Sequence, residues 1–126
     1  FSGDTLFSLG CGKIFEGTYS QMHKSLAFFK SLPLNTKIYC GHEYTLQNSK
    51  FCTKYDPDNK NLKNKIITIK KNLKNNLPTI PSTIKDELEC NIFLRSDNLD
   101  IQTKLNLNNK NSLETFSKLR DLKDNF

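Results

Sequence analysis

The hydrophobic and polar positions of the chain follow two spacings, one typical of short strands and one typical of helices. Near the N-terminus, apolar residues on both sides of Gly3-Asp4 predict a buried strand within residues 1–7 that ends in a loop. A second short strand, residues 37–40, stops at Gly41-His42. Polar residues at the ends of neighbouring strands line sites in α/β folds, so we expect Asp4 and His42 to lie close together.

Helical spacing dominates elsewhere in the chain. Thr18 with Gln21 is a capping-box signature and predicts a helix that ends near Ser31 and packs against a sheet. The Asn-rich stretch 98–111 predicts a mobile loop. A helix is also predicted over residues 46–54, and a short one after Ser82-Thr83. Asp56-Pro57 predicts the N-cap of a longer helix, which has Leu62, Ile66, Ile69 and Leu73 on one face. Ser112 predicts the cap of a last helix, with Leu113, Phe116 and Leu119 facing inward.

The positive charge raises the question of a polyanionic partner. The chain has 19 Lys+Arg against 13 Asp+Glu, a formal net charge of +6. Its lysines are spread along the chain among asparagines, only Arg95 and Arg120 are arginines, and tryptophan is absent. Nucleic-acid surfaces favour arginine and stacking aromatic rings. We therefore expect no nucleic-acid partner, and a basic nucleic-acid-binding module is the less favoured alternative.

The cysteines and the hydropathy pattern bear on the cellular environment. The four cysteines are Cys11, Cys40, Cys52 and Cys90. They form no CxxC pair and no short disulfide framework, which predicts a reducing cytoplasm. No signal-peptide pattern and no run of about eighteen apolar residues occurs, so we expect no membrane association. Because Phe1 starts in the middle of an apolar pattern, we expect the chain to be a fragment.

Asp4 and His42 are candidate metal ligands. Each follows a glycine at the end of a predicted strand. A carboxylate can bridge two cations and a neutral imidazole donates one lone pair, which suits Zn²⁺ or Fe²⁺. Two ligands do not complete a site, and the residues alone leave open a structural role in which Asp4 caps a turn and His42 forms a local hydrogen bond.

Short motifs in a fixed order point to one family. They are FSGDTLF at residues 1–7, GCGK at 10–13, FEGT at 15–18, YCGHEYT at 39–45, DPDN at 56–59, PTIPST at 78–83, EL at 87–88, NIFLR at 91–95 and KDNF at 123–126. In order and spacing they resemble the C-terminal half of hydroxyacylglutathione hydrolases (glyoxalase II), which belong to the metallo-β-lactamase superfamily. The resemblance spans the whole chain, although Phe15 stands where many members have tyrosine.

The resemblance implies a fold and a metal centre. The fold would be α/β plus α, with residues 1–43 forming the C-terminal part of a metallo-β-lactamase αββα sandwich and residues 44–126 forming a small helical glutathione-binding domain. Asp4 matches the family's bridging aspartate and His42 a histidine ligand of one metal. Two divalent ions, zinc or else iron or manganese, would activate a hydroxide. The family's histidine-rich motif, which supplies most ligands, is absent from this sequence.

The resemblance also implies a substrate. Lys13, Tyr44, Arg120 and Lys123 match positions that hold glutathione. Arg120 and Lys123 are three residues apart, so they share a helix face and could hold a carboxylate, or else form a solvated helix end. The complete protein would be a monomer that hydrolyses S-D-lactoylglutathione to glutathione and D-lactate in methylglyoxal detoxification, and the isolated fragment would be inactive. The alternative is a non-catalytic remnant that binds glutathione-like peptides.

Overall fold

Two small antiparallel sheets and a set of helices make up the fold in the computed structural model, which describes residues 1–13, 18–107 and 111–126. Strand β1 (Leu6–Phe7) pairs with β2 (Gly10–Cys11), and β3 (Lys37–Ile38) pairs with β4 (Ser82–Thr83). The helices are α1 (Tyr19–Lys30), α2 (Thr45–Tyr55), α3 (Lys60–Lys74), α4 (Ile84–Cys90), α5 (Leu99–Lys104) and α6 (Ser112–Asp124), with a 3-10 helix at Ile92–Leu94. Across the described ranges, no helix is both long and apolar enough to span a membrane.

Helix α1 begins as its sequence predicts. The Thr18 hydroxyl accepts a hydrogen bond from the Gln21 amide, and the Gln21 side chain accepts one from the Thr18 amide, which completes the capping box. The main neighbours of α1 are α4, α6 and the 3-10 helix. Phe116 of α6 offers an aromatic ring to Tyr19, so the contacts of α1 within this chain are with helices, and its predicted packing against a sheet stays a prediction.

Two helix caps lie at other residues than predicted. Asn59, rather than Asp56, caps α3, and its side chain accepts a hydrogen bond from the Leu62 amide. Asp56 cannot serve as the cap because its carboxylate is paired with Arg95 and with the Asn59 amide group. At α6 the cap is Asn111 rather than Ser112.

The Asn-rich stretch contains helix α5. Asn98 accepts a hydrogen bond from the Ile101 amide, and Ile101 is fully buried. The predicted loop is therefore wrong over Leu99–Lys104, because one buried side chain and a good N-cap outweigh the polar composition. Residues 108–110 of the predicted loop, like Phe15, lie outside the described residues.

One hydrophobic cluster extends from the first hairpin to the last helix. Its aromatic centre is Phe93, which stacks on Phe51 at 5.7 Å between ring centroids and meets Phe116 edge-on. Leu6 and Leu9 of the β1–β2 hairpin belong to the same cluster. Cys11, Cys52 and Cys90 are buried free cysteines, and Cys40 is a half-buried one. The fold is therefore α-rich with two small sheets, while the sandwich that the sequence predicts upstream of the helices stays a prediction.

Candidate functional site

The β1–β2 hairpin, the turn before α2 and the end of α6 enclose a cavity of about 360 Å³. It is lined by Asp4, Phe7, Cys11, Gly12, Lys13, His42, Tyr44, Gln47, Asn48, Arg120 and Lys123. The structure thus brings all six predicted site residues together around one pocket, although they are up to 119 positions apart in the sequence. Their roles stay predictions.

Asp4 and His42 form one edge of the pocket, which we call the open edge. A parallel bridge joins Gly3 to Cys40, and the Gly41 amide donates to the Gly3 carbonyl at 2.7 Å. This backbone pairing places the Asp4 Oδ1 atom 2.9 Å from the His42 Nδ1 atom. A Cβ on Gly41 would lie 2.6 Å from Asp4 Oδ1, so glycine makes the approach possible. The expectation that Asp4 and His42 lie close together is confirmed, although Asp4 precedes strand β1 rather than following a strand.

The open edge fits part of a metal site. Tetrahedral zinc bonds of about 2.0–2.2 Å to oxygen and nitrogen place neighbouring ligand atoms about 3.3–3.6 Å apart. Asp4 Oδ1 and His42 Nδ1 lie 2.9 Å apart, so a small separation of these exposed side chains would let both bind one ion. Their side chains are 70% and 50% exposed, so both can reach a further partner. In the part of the chain that the structure describes, no three His, Cys, Asp or Glu side chains come together. The pair therefore fits two positions of a zinc-type donor set and does not complete it.

Aromatic contacts fix the His42 ring. Tyr44 stacks on it with 5.0 Å between centroids and an angle of 3° between the ring planes. The buried Phe7 ring meets both His42 and Tyr44 at an angle, at 6.1 and 5.3 Å. Stacked and edge-to-face pairs of this kind restrict ring orientation. The three rings thus give the pocket an apolar wall beside the open edge.

Arg120 and Lys123 form the opposite side of the pocket. The Arg120 guanidinium donates to the Cys11 and Gly12 carbonyls at 2.7 and 3.2 Å and to the Asp124 carboxylate at 2.9 Å. Lys123 is half-buried, and burial, followed by the nearby Arg120 charge, lowers its pKa below the ordinary value of 10.5. An anion bound here would relieve that cost, because it favours the charged ammonium.

Cys11 lies between the two sides of the pocket and carries an unreactive thiol. Burial raises the pKa of this thiol to about 11, although the Arg120 charge opposes the shift. Nucleophilic sulfur chemistry needs a thiolate, and the protonated form dominates at neutral pH. Cys11 therefore contributes its carbonyl to the site rather than its sulfur.

A buried polar network holds the hairpin in place. Glu87, fully buried on α4, accepts hydrogen bonds from the Leu9 amide at 2.8 Å, from Asn91 at 3.0 Å and from the Ser82 hydroxyl at 2.6 Å. The Asn91 amide group also donates to the Phe7 and Gly10 carbonyls. Burial raises the pKa of Glu87 above its ordinary value of 4.5, while these hydrogen bonds oppose the shift. The network anchors the strands that carry Phe7 and Cys11.

Sequence reasoning did not identify this network. Glu87 and Asn91 appeared only as parts of matched motifs, and a polar pair four residues apart on a helix usually faces solvent. A signal that was present is the apolar Ile92–Leu94 segment that follows directly, because it is fully buried and keeps the end of α4 in the core. His23, the other histidine of the chain, lies outside this site and is half-buried, because its ring packs on Phe116 and contacts the Ser112 hydroxyl.

Comparisons with known proteins show the family to which the chain belongs. Residues 43–126 match the family described as hydroxyacylglutathione hydrolase C-terminus. The chain is 67% identical, over all of its 126 residues, to a hydroxyacylglutathione hydrolase of Pelagibacter ubique (strain HTCC1062), of which it covers 47%. It is 43% identical over 124 residues to one of Bradyrhizobium sp. (strain ORS 278) and 46% identical over 129 residues to one of Legionella pneumophila (strain Lens), and it covers 49% and 50% of those proteins.

The fold and the pocket define an α-rich region with one cavity, whose edge carries Asp4 and His42. The chain belongs to the hydroxyacylglutathione hydrolase family. It corresponds to the C-terminal half, and it spans about half the length of the curated relatives it matches.

Proposed function

We propose that this chain supplies the glutathione-binding pocket and two of the metal ligands of a hydroxyacylglutathione hydrolase. The complete enzyme hydrolyses S-(2-hydroxyacyl)glutathione, S-D-lactoylglutathione in methylglyoxal detoxification, to glutathione and a 2-hydroxy acid. The observation that carries this proposal is the single pocket lined by Asp4, His42, Lys13 and Lys123. Residues 1–43 then belong to the metallo-β-lactamase-type part and residues 44–126 to the helical part.

The pocket suits an anionic tripeptide thioester. Glutathione carries two carboxylates, and Lys13 and Lys123 offer ammonium groups that attract them. Burial is the largest cause that lowers the pKa of Lys123, and the Lys13 charge adds to it, so a bound carboxylate would favour the charged form of Lys123. Tyr44 offers a hydroxyl for a hydrogen bond and a ring that is half-exposed beside His42. Binding energy gained from glutathione, remote from the reacting bond, orients the thioester carbonyl at the open edge.

The open edge supplies the chemistry once its donor set is complete. Asp4 and His42 would hold a divalent cation, which polarises the thioester carbonyl and lowers the pKa of water when it is bound. Phe7 and Tyr44 shield the open edge on the side where the glutathione tripeptide would bind. Because two ligands do not complete the site, we expect the 126-residue chain by itself to show no turnover of S-D-lactoylglutathione.

The proposal is tested by calorimetric titration of glutathione into this chain. Lys123→Gln should weaken glutathione binding about tenfold, because a charge-assisted hydrogen bond to a carboxylate is lost. The matched control is Lys118→Gln, which removes the same charge from an exposed position of α6 outside the pocket and should change affinity less than about twofold. Equal losses in both variants would indicate diffuse charge attraction and would refute the pocket as the glutathione site.

A further inference from the structure

A closed ring of hydrogen bonds lies beside His42 and consists of Glu43, Thr45 and Thr79, which we call the brace. The Thr79 amide donates to Glu43 Oε2 at 3.2 Å, and the Thr45 hydroxyl donates to Glu43 Oε1 at 3.2 Å. The Thr79 hydroxyl donates to the Thr45 hydroxyl oxygen at 2.6 Å and closes the ring. Every donor points towards the carboxylate, so a single arrangement of the two hydroxyl protons satisfies the whole brace.

Burial gives the brace a fixed shape. Thr45 and Thr79 are 1% and 6% exposed, although Glu43 reaches solvent. Buried hydroxyls must find hydrogen-bond partners within the protein, so the two threonines hold one orientation. Glu43 also precedes the first turn of α2, whose cap residue Tyr44 makes no side-chain cap hydrogen bond. A carboxylate is favourable at that end of a helix, and the helix therefore adds to the hold on Glu43.

Thr79 belongs to a segment that runs antiparallel to the one carrying His42. Three residues after Thr79, Ser82 begins strand β4, which pairs with β3. The Ser82 hydroxyl donates to the buried Glu87 carboxylate at 2.6 Å. Thr79 therefore reaches Glu43 from a segment that is itself anchored in the core.

The backbone is thereby held on both sides of His42. On one side, the Gly41 amide donates to the Gly3 carbonyl at 2.7 Å. On the other side, the brace binds Glu43. The His42 carbonyl accepts a hydrogen bond from the Cys40 thiol at 3.3 Å. Because the His42 side chain is 50% exposed, its position depends on these neighbours rather than on burial.

We propose that Glu43 is a positioning residue, and that the brace fixes the turn that places His42 at the open edge. An exposed ligand gains from such support, because a turn held in one conformation loses less freedom when a partner binds. The brace stands on the ligand-free geometry. Its consequence for metal binding rests on the proposed function, in which His42 is taken to be a metal ligand.

The brace is tested without ligand, by NMR on the 126-residue chain and two variants at Thr79. Thr79→Val removes the hydroxyl, whereas Thr79→Ser keeps it. We expect the His42 ring signals to move towards those of an unstacked histidine in Thr79→Val and to stay in place in Thr79→Ser. His23, the other histidine, lies on α1 and should respond in neither variant. Unchanged His42 signals in Thr79→Val, or equal movement in both variants, would overturn the proposal.

A double variant separates positioning from stability. Thr79→Val alone leaves the Thr45 oxygen without its buried donor, whereas adding Thr45→Val removes both hydroxyls and should regain part of the lost stability. If the brace positions His42, its ring signals should stay displaced in the double variant. Recovery of the ring signals together with stability would make the threonine contact purely structural and would overturn the proposal.

Glu43→Ala covers the case in which the threonine variants do not fold, because it changes an exposed side chain. It should displace the His42 ring signals and leave those of His23 in place. Constant His42 signals in Glu43→Ala would contradict the proposal.

The consequence for metal binding is tested by titrating Zn²⁺ into the same proteins and following the His42 signals. We expect Glu43→Ala and Thr79→Val to weaken the zinc response of His42 about tenfold, and Thr79→Ser to leave it unchanged. Equal affinities in all variants would overturn this consequence. Absence of a His42 response in the unmodified chain would refute the proposed metal role instead, and the ligand-free comparison would still decide the brace.

Discussion

The open edge and the buried support of the pocket are built in opposite ways. The open edge consists of Asp4 and His42, whose side chains are largely exposed and share one hydrogen bond. The buried support consists of Glu87, Asn91 and Arg120, which are almost completely buried and bind backbone groups of the β1–β2 hairpin. The side chains of the buried support therefore find their hydrogen-bond partners within the folded chain, whereas the exposed Asp4 and His42 side chains can bind a further partner.

The contrast follows from the cost of burying polar groups. A polar group removed from water must find its hydrogen bonds within the protein, so Glu87 and Arg120 hold fixed positions. An exposed ion pair contributes little to stability, because water competes for both partners. We therefore expect changes in the support to affect the fold, and changes in the open edge to affect ligand chemistry while leaving the fold intact.

The largest expected effect separates the two regions directly. Glu87→Ala removes the acceptor of three buried donors and should lower the free energy of unfolding by about 3–5 kcal/mol. Asp4→Ala should change it by less than about 0.5 kcal/mol. Urea denaturation of the two variants provides the comparison, and losses of similar size would show that the regions do not differ as described.

The glycines beside Asp4 give the next largest effect. Gly12→Ala places a Cβ 1.9 Å from the Asp4 backbone oxygen and should cost about 2–3 kcal/mol, since backbone must shift. Gly41→Ala is the control. Its Cβ meets the exposed Asp4 carboxylate, which can turn aside, and the Gly3 backbone only at 3.3 Å, so about 1 kcal/mol is expected. A reversed order in thermal or urea unfolding would contradict the packing described for this loop.

The pH dependence of stability provides a third test. Because burial raises the pKa of Glu87 in the folded protein, the folded state binds its proton more tightly than the unfolded state. The free energy of unfolding should then fall as pH rises from the ordinary glutamate value of 4.5 through the raised pKa, and Glu87→Gln should remove that decline. Unfolding curves collected across this range would disagree with the account if both proteins showed the same slope.

Tyr44 is expected to give the smallest effect. Tyr44→Phe keeps the ring that stacks on His42 and should change the free energy of unfolding by less than about 0.5 kcal/mol. Loss of the hydroxyl should weaken glutathione binding roughly two- to tenfold. Tyr44→Leu, which also removes the stack, should cost a further 0.5–1.5 kcal/mol or so in stability. Unaltered affinity in Tyr44→Phe would remove the hydroxyl from the proposed contacts.

Local signals in the sequence predicted those parts of the fold that depend on neighbours in the chain. The Thr18 capping box and the positions of α2 and α4 are of this kind. The closeness of Asp4 and His42 was predicted from the glycine before each residue, although the Gly3–Cys40 backbone bridge that produces it is not local. Helix α5 could not be predicted, because its stability depends on burial of Ile101 among distant residues.

The buried support was beyond prediction for the same physical reason. Nothing near Arg120 in the sequence shows that its partners are carbonyls more than a hundred residues away. The family resemblance identified six residues that line the pocket, but it could not distinguish those that face the ligand from those that support the pocket structurally. That distinction needs burial and hydrogen-bond geometry, which emerge only after the chain has folded.

The most direct measurement is an NMR titration of the 126-residue chain with glutathione, followed residue by residue through amide shifts. The account predicts saturable changes at Lys13, Tyr44 and Lys123, small changes at the Glu87 network, and none along the lysine-rich surface of α3. Shifts that spread over α3, or that bypass the pocket, would contradict the central claim that this cavity is the glutathione site.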